Sequence, residues 1–436
     1  MNRPHLLYTA WSFPPSRAGG VYRAVATVNA FANAGWDVTV LTVPEALFRT
    51  STGSDEELAR QIAPGVRVVR EDPHVPAFQN DIARWSFGRA RFPEVHKLLD
   101  LRKDFVHFPE PNYGRWRPGL EAMAERVHGE HPVDLAIGTA NPHVDFIPGW
   151  HLNRRHGVPY VMDYRDAWQL DVFSGRRLIT ATRGVRRWER RLMESATEIW
   201  FVNDAIRSWH ANEYAGEVDR MRVVANGFDE YRESLQIPVR EERTDGLVFG
   251  YIGTITPNVP LAVLIDGWRR AREREQHLAG ARLVLRGYIG HFGAGDAAAS
   301  QAIEAAAPDG VSYEGPVGKS DIAAAYRGFD ALVLALGTGR YVTSGKVFEY
   351  AATGIPVVSV HDPGNAATDV MKDSPAWVPA AALTTEGVAD AFSRAARMAA
   401  SQTAADRATA QRWGAQYSRS GQLDPRIAAL TAAVGH

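Results

Sequence analysis

Ser344-Gly345-Lys346 sets a small-residue turn and a lysine at the head of a short helix, Val347 to Thr353, that carries Glu349. Gly354-Ile355-Pro356 breaks that helix, and Val357-Val358-Ser359-Val360 follows as a buried strand. Backbone N–H groups at a helix N-terminus attract phosphate oxygens, and a lysine there adds a full positive charge. Glu349, one turn further on, is placed to accept hydrogen bonds from a ribose diol. The chemistry this arrangement supports is capture of a nucleoside diphosphate. A plain loop–helix–strand connection with solvated Lys346 and Glu349 is the alternative.

Other polar groups fall just after apolar runs. Ala18-Gly19-Gly20-Val21-Tyr22-Arg23 offers two glycines for close backbone approach and Arg23 for a phosphate, without the spacing of the dinucleotide-binding fingerprint. Asn141-Pro142-His143 supplies a histidine that could bond a sugar hydroxyl. Asp163-Tyr164-Arg165-Asp166-Ala167-Trp168 combines carboxylates, an arginine and an indole, suited to gripping sugar hydroxyls or activating an acceptor by general-base action. The alternative there is a salt-bridged loop with Trp168 packed inward. Gly253-Thr254, Arg286-Gly287 and Gly337-Thr338-Gly339-Arg340 add glycines and cations near the Lys346 segment. No Asp-x-Asp triad occurs, so no metal site is expected, and diphosphate charge would be met by backbone N–H groups, Lys346 and arginines. Arg176-Arg177, Arg183, Arg186-Arg187 and Arg190-Arg191 surround Trp188. They read as a solvated helix face paired by Glu189 and Glu194, with binding to a membrane surface or anionic acceptor as the functional alternative.

Two series of strands and helices would position these groups. In the first, His5 to Ala10 is a strand, and Val21 to Asn33 is a helix with Val21, Val25, Val28 and Ala32 on one face. Gly35 suits its end, and Asp37 to Thr42 is the next strand; the crossover implies a parallel sheet. Residues 44–130, rich in Pro, Arg and aromatics, show no regular pattern. Strands return at Val133–Gly138, Pro159–Asp163, Glu198–Val202 and Met221–Val224. Asn226-Gly227-Phe228-Asp229 and the charged stretch to Asp245 read as a linker. The second series has strands at Leu247–Gly253, Arg282–Gly287, Ala331–Leu336 and Val357–Val360, with a helix behind Ser320 bearing Ile322, Ala325, Tyr326 and Phe329. A ligand is expected where the carboxyl ends of the strands meet.

The 436 residues suit two domains, and 45% hydrophobic with 23% charged residues is ordinary for a globular chain. A formal net charge of −1 gives no reason to expect nucleic acid. The absence of cysteine excludes disulfides, thiolate metal sites and cysteine nucleophiles. With no apolar run near the roughly 18 residues that span a bilayer, and no signal-peptide pattern at the start, a cytoplasmic location is expected.

Taken jointly, these motifs resemble retaining glycosyltransferases of the GT-B fold, of the family-4 type. The resemblance covers most of the chain. It is strongest at Phe13-Pro14-Pro15 with Gly19-Gly20-Val21, and at Ser344 to Tyr350 with Gly354 to Val358. Tyr164 to Trp168, Asn226 to Asp229, Tyr251-Ile252-Gly253-Thr254 and Pro109-Glu110-Pro111-Asn112-Tyr113-Gly114-Arg115-Trp116 add to it. It implies two Rossmann-like parallel-sheet domains facing a central cleft. Residues 1–235 would bind the acceptor, residues 240–412 the nucleotide sugar, and residues 413–436 would form a helical segment crossing back to the first domain.

By position, Glu349 would bind the ribose, and Ser344, Gly345, Lys346 and Val347 would hold the diphosphate. Gly19, Gly20, Arg23, Gly253, Thr254, Arg286 and Arg340 would complete the donor site. His143, Asp166 and Lys346 are the expected catalytic residues, and Asn141, Arg165 and Trp168 the acceptor-binding ones. The implied reaction transfers a sugar from a UDP- or GDP-linked donor to an acceptor hydroxyl with retained configuration, without a further cofactor. The acceptor would be a sugar, a metabolite or a glycolipid, the last admitting peripheral membrane contact. Two departures stand out. Many members carry a further glutamate where Tyr341 falls here, and an Arg/Lys pair where this chain has Ile255 to Pro260. A nucleotide-sugar epimerase on the same fold, or a non-catalytic nucleotide-sugar-binding protein, are the alternatives.

Overall fold

In the computed structural model, which describes residues 3–75, 81–229, 235–240, 246–290, 296–318, 321–337 and 339–435, the chain divides into two units. One is Met1–Ala225 with Leu423–His436, the other Asn226–Gln422. Ser320, Thr338 and parts of the charged stretch between Asp229 and Asp245 lie outside the described residues.

The first unit holds seven strands: β1 (His5–Thr9), β2 (Asp37–Thr42), β3 (Arg67–Arg70), β4 (Leu135–Ala140), β5 (Tyr160–Tyr164), β6 (Glu198–Phe201) and β7 (Met221–Val223). They are all parallel, in the order β3-β2-β1-β4-β5-β6-β7. The second unit repeats the plan with β8 (Val248–Ile252), β9 (Arg282–Arg286), β10 (Val311–Tyr313), β11 (Ala331–Ala335), β12 (Val357–Val360) and β13 (Trp377–Pro379), ordered β10-β9-β8-β11-β12-β13. Both are the doubly wound Rossmann-like arrangement expected from the alternating pattern. In each, the order reverses beside the first strand, between β1 and β4 and between β8 and β11.

The helix Val21–Asn33 packs Val21, Val25 and Val28 onto β1 and β2, in a core with Leu6, Tyr8, Val38 and Val40. Leu423, Ile427 and Leu430 of the last helix, Arg419–Val434, join that same core, so the chain ends on its first unit. In the second unit Trp268 meets Phe249 and Phe392 edge-on, at ring separations of 5.3 and 5.2 Å.

Several expectations shift. Strand β4 begins two residues late because the approach to it is already committed: the Val133 N–H donates to His128 Nδ1, and Asp134 accepts from the His5 N–H. The patternless stretch 44–130 contains β3 and helices at Glu45–Thr50, Glu56–Arg60, Pro93–His107 and Arg117–Glu130. Glu189 does not pair with its neighbouring arginines. It is fully buried and accepts from Tyr164, Gln169 and Tyr214.

Arg23, expected at a phosphate, is also buried. Its guanidinium donates to both Asp163 oxygens, with Nη2 at 2.6 Å and Nε at 2.9 Å, and through Nη1 to the carbonyls of Val224 and Ala225. It therefore ties the first helix to β5 and to the segment that follows β7. Removing one member of such a pair strands the other charge, at a typical cost of about 3–5 kcal/mol. Arg23→Met is expected to lose that much in urea unfolding, and Arg23→Met with Asp163→Leu to recover a large part of it. Additive losses in the double variant would show that the two side chains do not act as a pair.

Candidate active site

The helix Gly345–Thr353 follows the carboxyl end of β11. Ser344 precedes it in extended conformation and makes no side-chain cap, while its carbonyl accepts from the Val347 N–H at 3.2 Å. The N–H groups of Gly345 and Lys346 have no intrahelical acceptor, as at any helix start. Gly345 is exposed, and a methyl group there would meet nothing within 4 Å.

Lys346 turns back from this helix toward the end of β8. Its Nζ lies 4.9 Å from the centre of the Tyr251 ring. A Cβ on Gly253 would come within 1.5 Å of that nitrogen, so the ammonium occupies the space a side chain would take. Gly253 in turn lies flat against Gly287, whose φ of +136° is glycine's own and whose added Cβ would sit 2.0 Å from the Gly253 carbonyl. The Gly253 N–H donates to the Arg286 carbonyl at 2.7 Å. Burial pushes the Lys346 amine down to about 8, against partial support from Glu349. Glu349 is half-buried and accepts from the Tyr326 hydroxyl at 3.1 Å.

The remaining cations of this unit differ in freedom. Arg286 is half-buried, 3.8 Å from Glu314, and its Nε is buried with no hydrogen-bond partner among the described residues. Arg340 and Thr254 are exposed, and the Thr254 carbonyl accepts from the Tyr251 hydroxyl at 3.0 Å. Tyr341 is half-buried. Lys346, Gly253, Glu349 and the Ser344 turn are thus brought together around the ends of β8 and β11. Tyr251 and Tyr326 were missed as site residues: both read as apolar strand or helix positions, and nothing in their spacing shows a hydroxyl turned to a neighbour.

In the first unit Gly19 is exposed and open, whereas Gly20 is buried beneath Arg165, whose Nη1 would be 1.6 Å from a Cβ there. Arg165 also holds the exposed Asp166 at 2.7 Å. His143 has no ring nitrogen to spare. Nδ1 faces Glu110 at 3.0 Å and Nε2 faces the Asp166 carbonyl at 3.1 Å. Its ring stacks on Trp168 at 4.7 Å, and Trp168 stacks on Phe108 at 5.0 Å. Trp168 is therefore packed inward, and His143 acts on the Asp166 turn rather than outward; Asn141 is exposed. Glu110, quoted above only as part of a motif, holds this region: its two oxygens accept from the His143 and Val144 N–H groups, both at 2.8 Å.

Residues 18–227 match the family described as glycosyl transferase 4-like domain, and residues 246–399 match glycosyl transferases group 1. No curated protein matches the chain. Among solved structures, a glycosyltransferase from Rickettsia africae is 10% identical with a TM-score of 0.67, covering 99% of each chain. Sucrose-phosphate synthase from Thermosynechococcus elongatus is 14% identical with a TM-score of 0.59, over 99% of this chain and 100% of that one. Anabaena HepE, solved with UDP, is 14% identical with a TM-score of 0.59, over 98% of this chain and 100% of that one. HepE has also been solved with UDP-glucose, at a TM-score of 0.54 over 98% of this chain and 99% of that one.

The depressed Lys346 amine has a measurable consequence. Between about 8 and the ordinary 10.5 the folded chain holds fewer protons than the unfolded one, so this group's destabilising effect is complete below pH 8 and fades as pH rises to 10.5. An anion bound at Lys346 would reverse the shift and draw in a proton. Calorimetry of UDP binding at about pH 8.5, in buffers of different ionisation enthalpy, is expected to show net proton uptake that Lys346→Met lacks. Identical uptake in the two proteins would remove Lys346 from the anion site.

Proposed function

The chain belongs to the family-4 type of GT-B glycosyltransferases, and from that membership we propose that it moves a sugar from a nucleoside diphosphate sugar to an acceptor hydroxyl with retention of anomeric configuration. The observation that carries the reading is Lys346. It is a partly desolvated lysine held over Gly253 at a helix N-terminus, with Glu349 one turn behind it. That set suits a leaving diphosphate and a ribose, and the HepE complexes with UDP and UDP-glucose favour a UDP-linked donor.

In this mechanism the acceptor oxygen attacks the anomeric carbon on the face from which the diphosphate departs. The bond from that carbon to the phosphate oxygen breaks as the new glycosidic bond forms, and the acceptor proton passes to the leaving phosphate. Lys346 and the N–H groups of Gly345 and Lys346 take up the charge that develops on the diphosphate, with Ser344 and Val347 shaping the turn. Glu349 receives the ribose hydroxyls, Gly253 and Thr254 leave room for the phosphates, and Arg286 and Arg340 stand in for the cation pair missing at Ile255 to Pro260. Asn141, Arg165 and Asp166 meet the acceptor, while His143 and Trp168 are positioning residues that fix the Asp166 turn.

A panel of UDP-, GDP- and dTDP-sugars, each assayed with and without candidate acceptors, tests the reading. Release of nucleoside diphosphate that depends on an acceptor, strongest with a UDP-sugar, is the expected result. Interconversion of the sugar without an acceptor would instead establish an epimerase. Lys346→Ala is expected to lower turnover by about tenfold to a thousandfold, the range for lost charge stabilisation. Turnover at the parent rate would remove Lys346 from the mechanism.

A further inference from the structure

The Pro93–His107 helix presents its apolar side to solvent. Its inward face is polar: buried Asp104 accepts from the Asn112 N–H at 2.8 Å and from Arg115 Nε at 2.7 Å, and Arg115 also reaches Asp100 at 3.2 Å. The opposite arc carries Val95, Leu98, Leu99, Phe105 and Val106, of which Leu98 and Val106 are 67% and 73% exposed. Phe87 and Phe92, just before the helix, are exposed as well. An amphipathic helix in a soluble unit turns this face to the core, and an apolar arc left in water, here with exposed Arg102 at helical spacing between Leu98–Leu99 and Phe105–Val106, marks an interaction surface.

A dense positive face adjoins it. The helix Arg183–Ser195 meets the end of Pro93–His107: Trp188 packs against Phe108 at 5.2 Å and beneath the Arg117 guanidinium at 4.7 Å. Arg183, Arg186, Arg187, Arg190 and Arg191 are exposed, and none forms an ion pair among the described residues. Glu189 is turned into the core, and Glu194, exposed near the helix's end, forms no ion pair with these arginines among the described residues. Ile179, before this helix, is fully exposed.

We propose that this face of the first unit docks on an anionic lipid bilayer, the apolar arc of Pro93–His107 entering the interfacial layer while the arginines of Arg183–Ser195 meet headgroup phosphates. Charge complementarity favours this occupant. Unpaired arginines beside bare leucine, valine and phenylalanine match a surface that is anionic at the headgroups and apolar beneath. A second copy docked on the same face about a two-fold axis would set arginines against arginines. Among the described residues no helix is long and apolar enough to cross a membrane. The docked face adjoins the acceptor residues through Phe108, Trp168 and His143, each stacked on the next. An acceptor carried on a lipid would then be presented beside Asp166.

Flotation of the whole protein with vesicles tests the docking. Vesicles of phosphatidylcholine with phosphatidylglycerol are expected to carry the protein, phosphatidylcholine alone to leave it behind, and added salt to weaken the binding. Arg186→Glu with Arg187→Glu and Arg190→Glu is expected to lower partition by about tenfold or more, and Leu98→Asn with Val106→Asn to lower it without changing the protein's charge. All five positions are exposed, so melting temperature and UDP binding should match the parent protein in both variants. No vesicle binding, equal binding to both lipid compositions, or partition unchanged in either variant would overturn the proposal. So would a dimer in sedimentation velocity that disperses on Leu98→Asn with Val106→Asn while vesicle binding persists. Vesicle binding is scored without any sugar donor, so its outcome is independent of the transfer reaction.

Discussion

Every strand in both sheets runs the same way as its neighbours, and that single constraint organises the chemistry. A parallel strand cannot turn directly into the next one. The chain must leave at the carboxyl end, cross a face of the sheet and re-enter at the amino end. The loops that leave therefore collect on one edge of each sheet, and helices that start there point free N–H groups at it. Asn141 follows β4, Arg165 and Asp166 follow β5, Gly253 follows β8, and Arg286 closes β9. Ser344 follows β11 and opens the Gly345–Thr353 helix. Within each unit these residues are far apart in sequence and share one edge of their own sheet.

At those edges, glycine and a cation are used together in each unit. Lys346 fills the volume that Gly253 leaves empty, and Arg165 does the same over Gly20. A cation lying across backbone is poorly hydrated, which disfavours the charged amine of Lys346 until an anion arrives. The flat contact of Gly287 against Gly253 shows how little room the β8 and β9 ends allow. Any side chain at Gly253 would displace Lys346, so the absence of a side chain there is as much a part of the site as the lysine.

The strand–helix alternation made both sheets and the Lys346 segment legible in the sequence, because a buried parallel strand is a continuous apolar run between turn signals. The edge strands β3 (Arg-Val-Val-Arg), β10 (Val-Ser-Tyr) and β13 (Trp-Val-Pro) lack the continuous apolar run that marks the inner strands. Within residues 44–130, the helix Pro93–His107 was opaque for a different reason. Periodicity assumes that the apolar arc of a helix faces the core, and Pro93–His107 does the reverse, with Asp104 inside and Leu98 and Val106 outside. Arg23 and Glu189 misled for a related reason: a charge beside a helix start or within an arginine run looks solvated. Asp163 and Tyr164, which bury them, lie far away in sequence and come into reach only once β5 is in place.

Burial also sorts the carboxylates. Asp163 is bound to Arg23, and Glu110 is spent on the His143 and Val144 N–H groups. Asp145 accepts from the Trp11 N–H with one oxygen, leaves the other without a partner among the described residues, and is pushed well above the ordinary carboxyl range by burial. Its hydrogen bond to the Trp11 N–H holds the loop that follows β1. Asp166 alone among these first-unit acids is exposed, and it stands beside Arg165 at 2.7 Å. A general base drawn from the buried acids would have to break a hydrogen bond that shapes the loops around it.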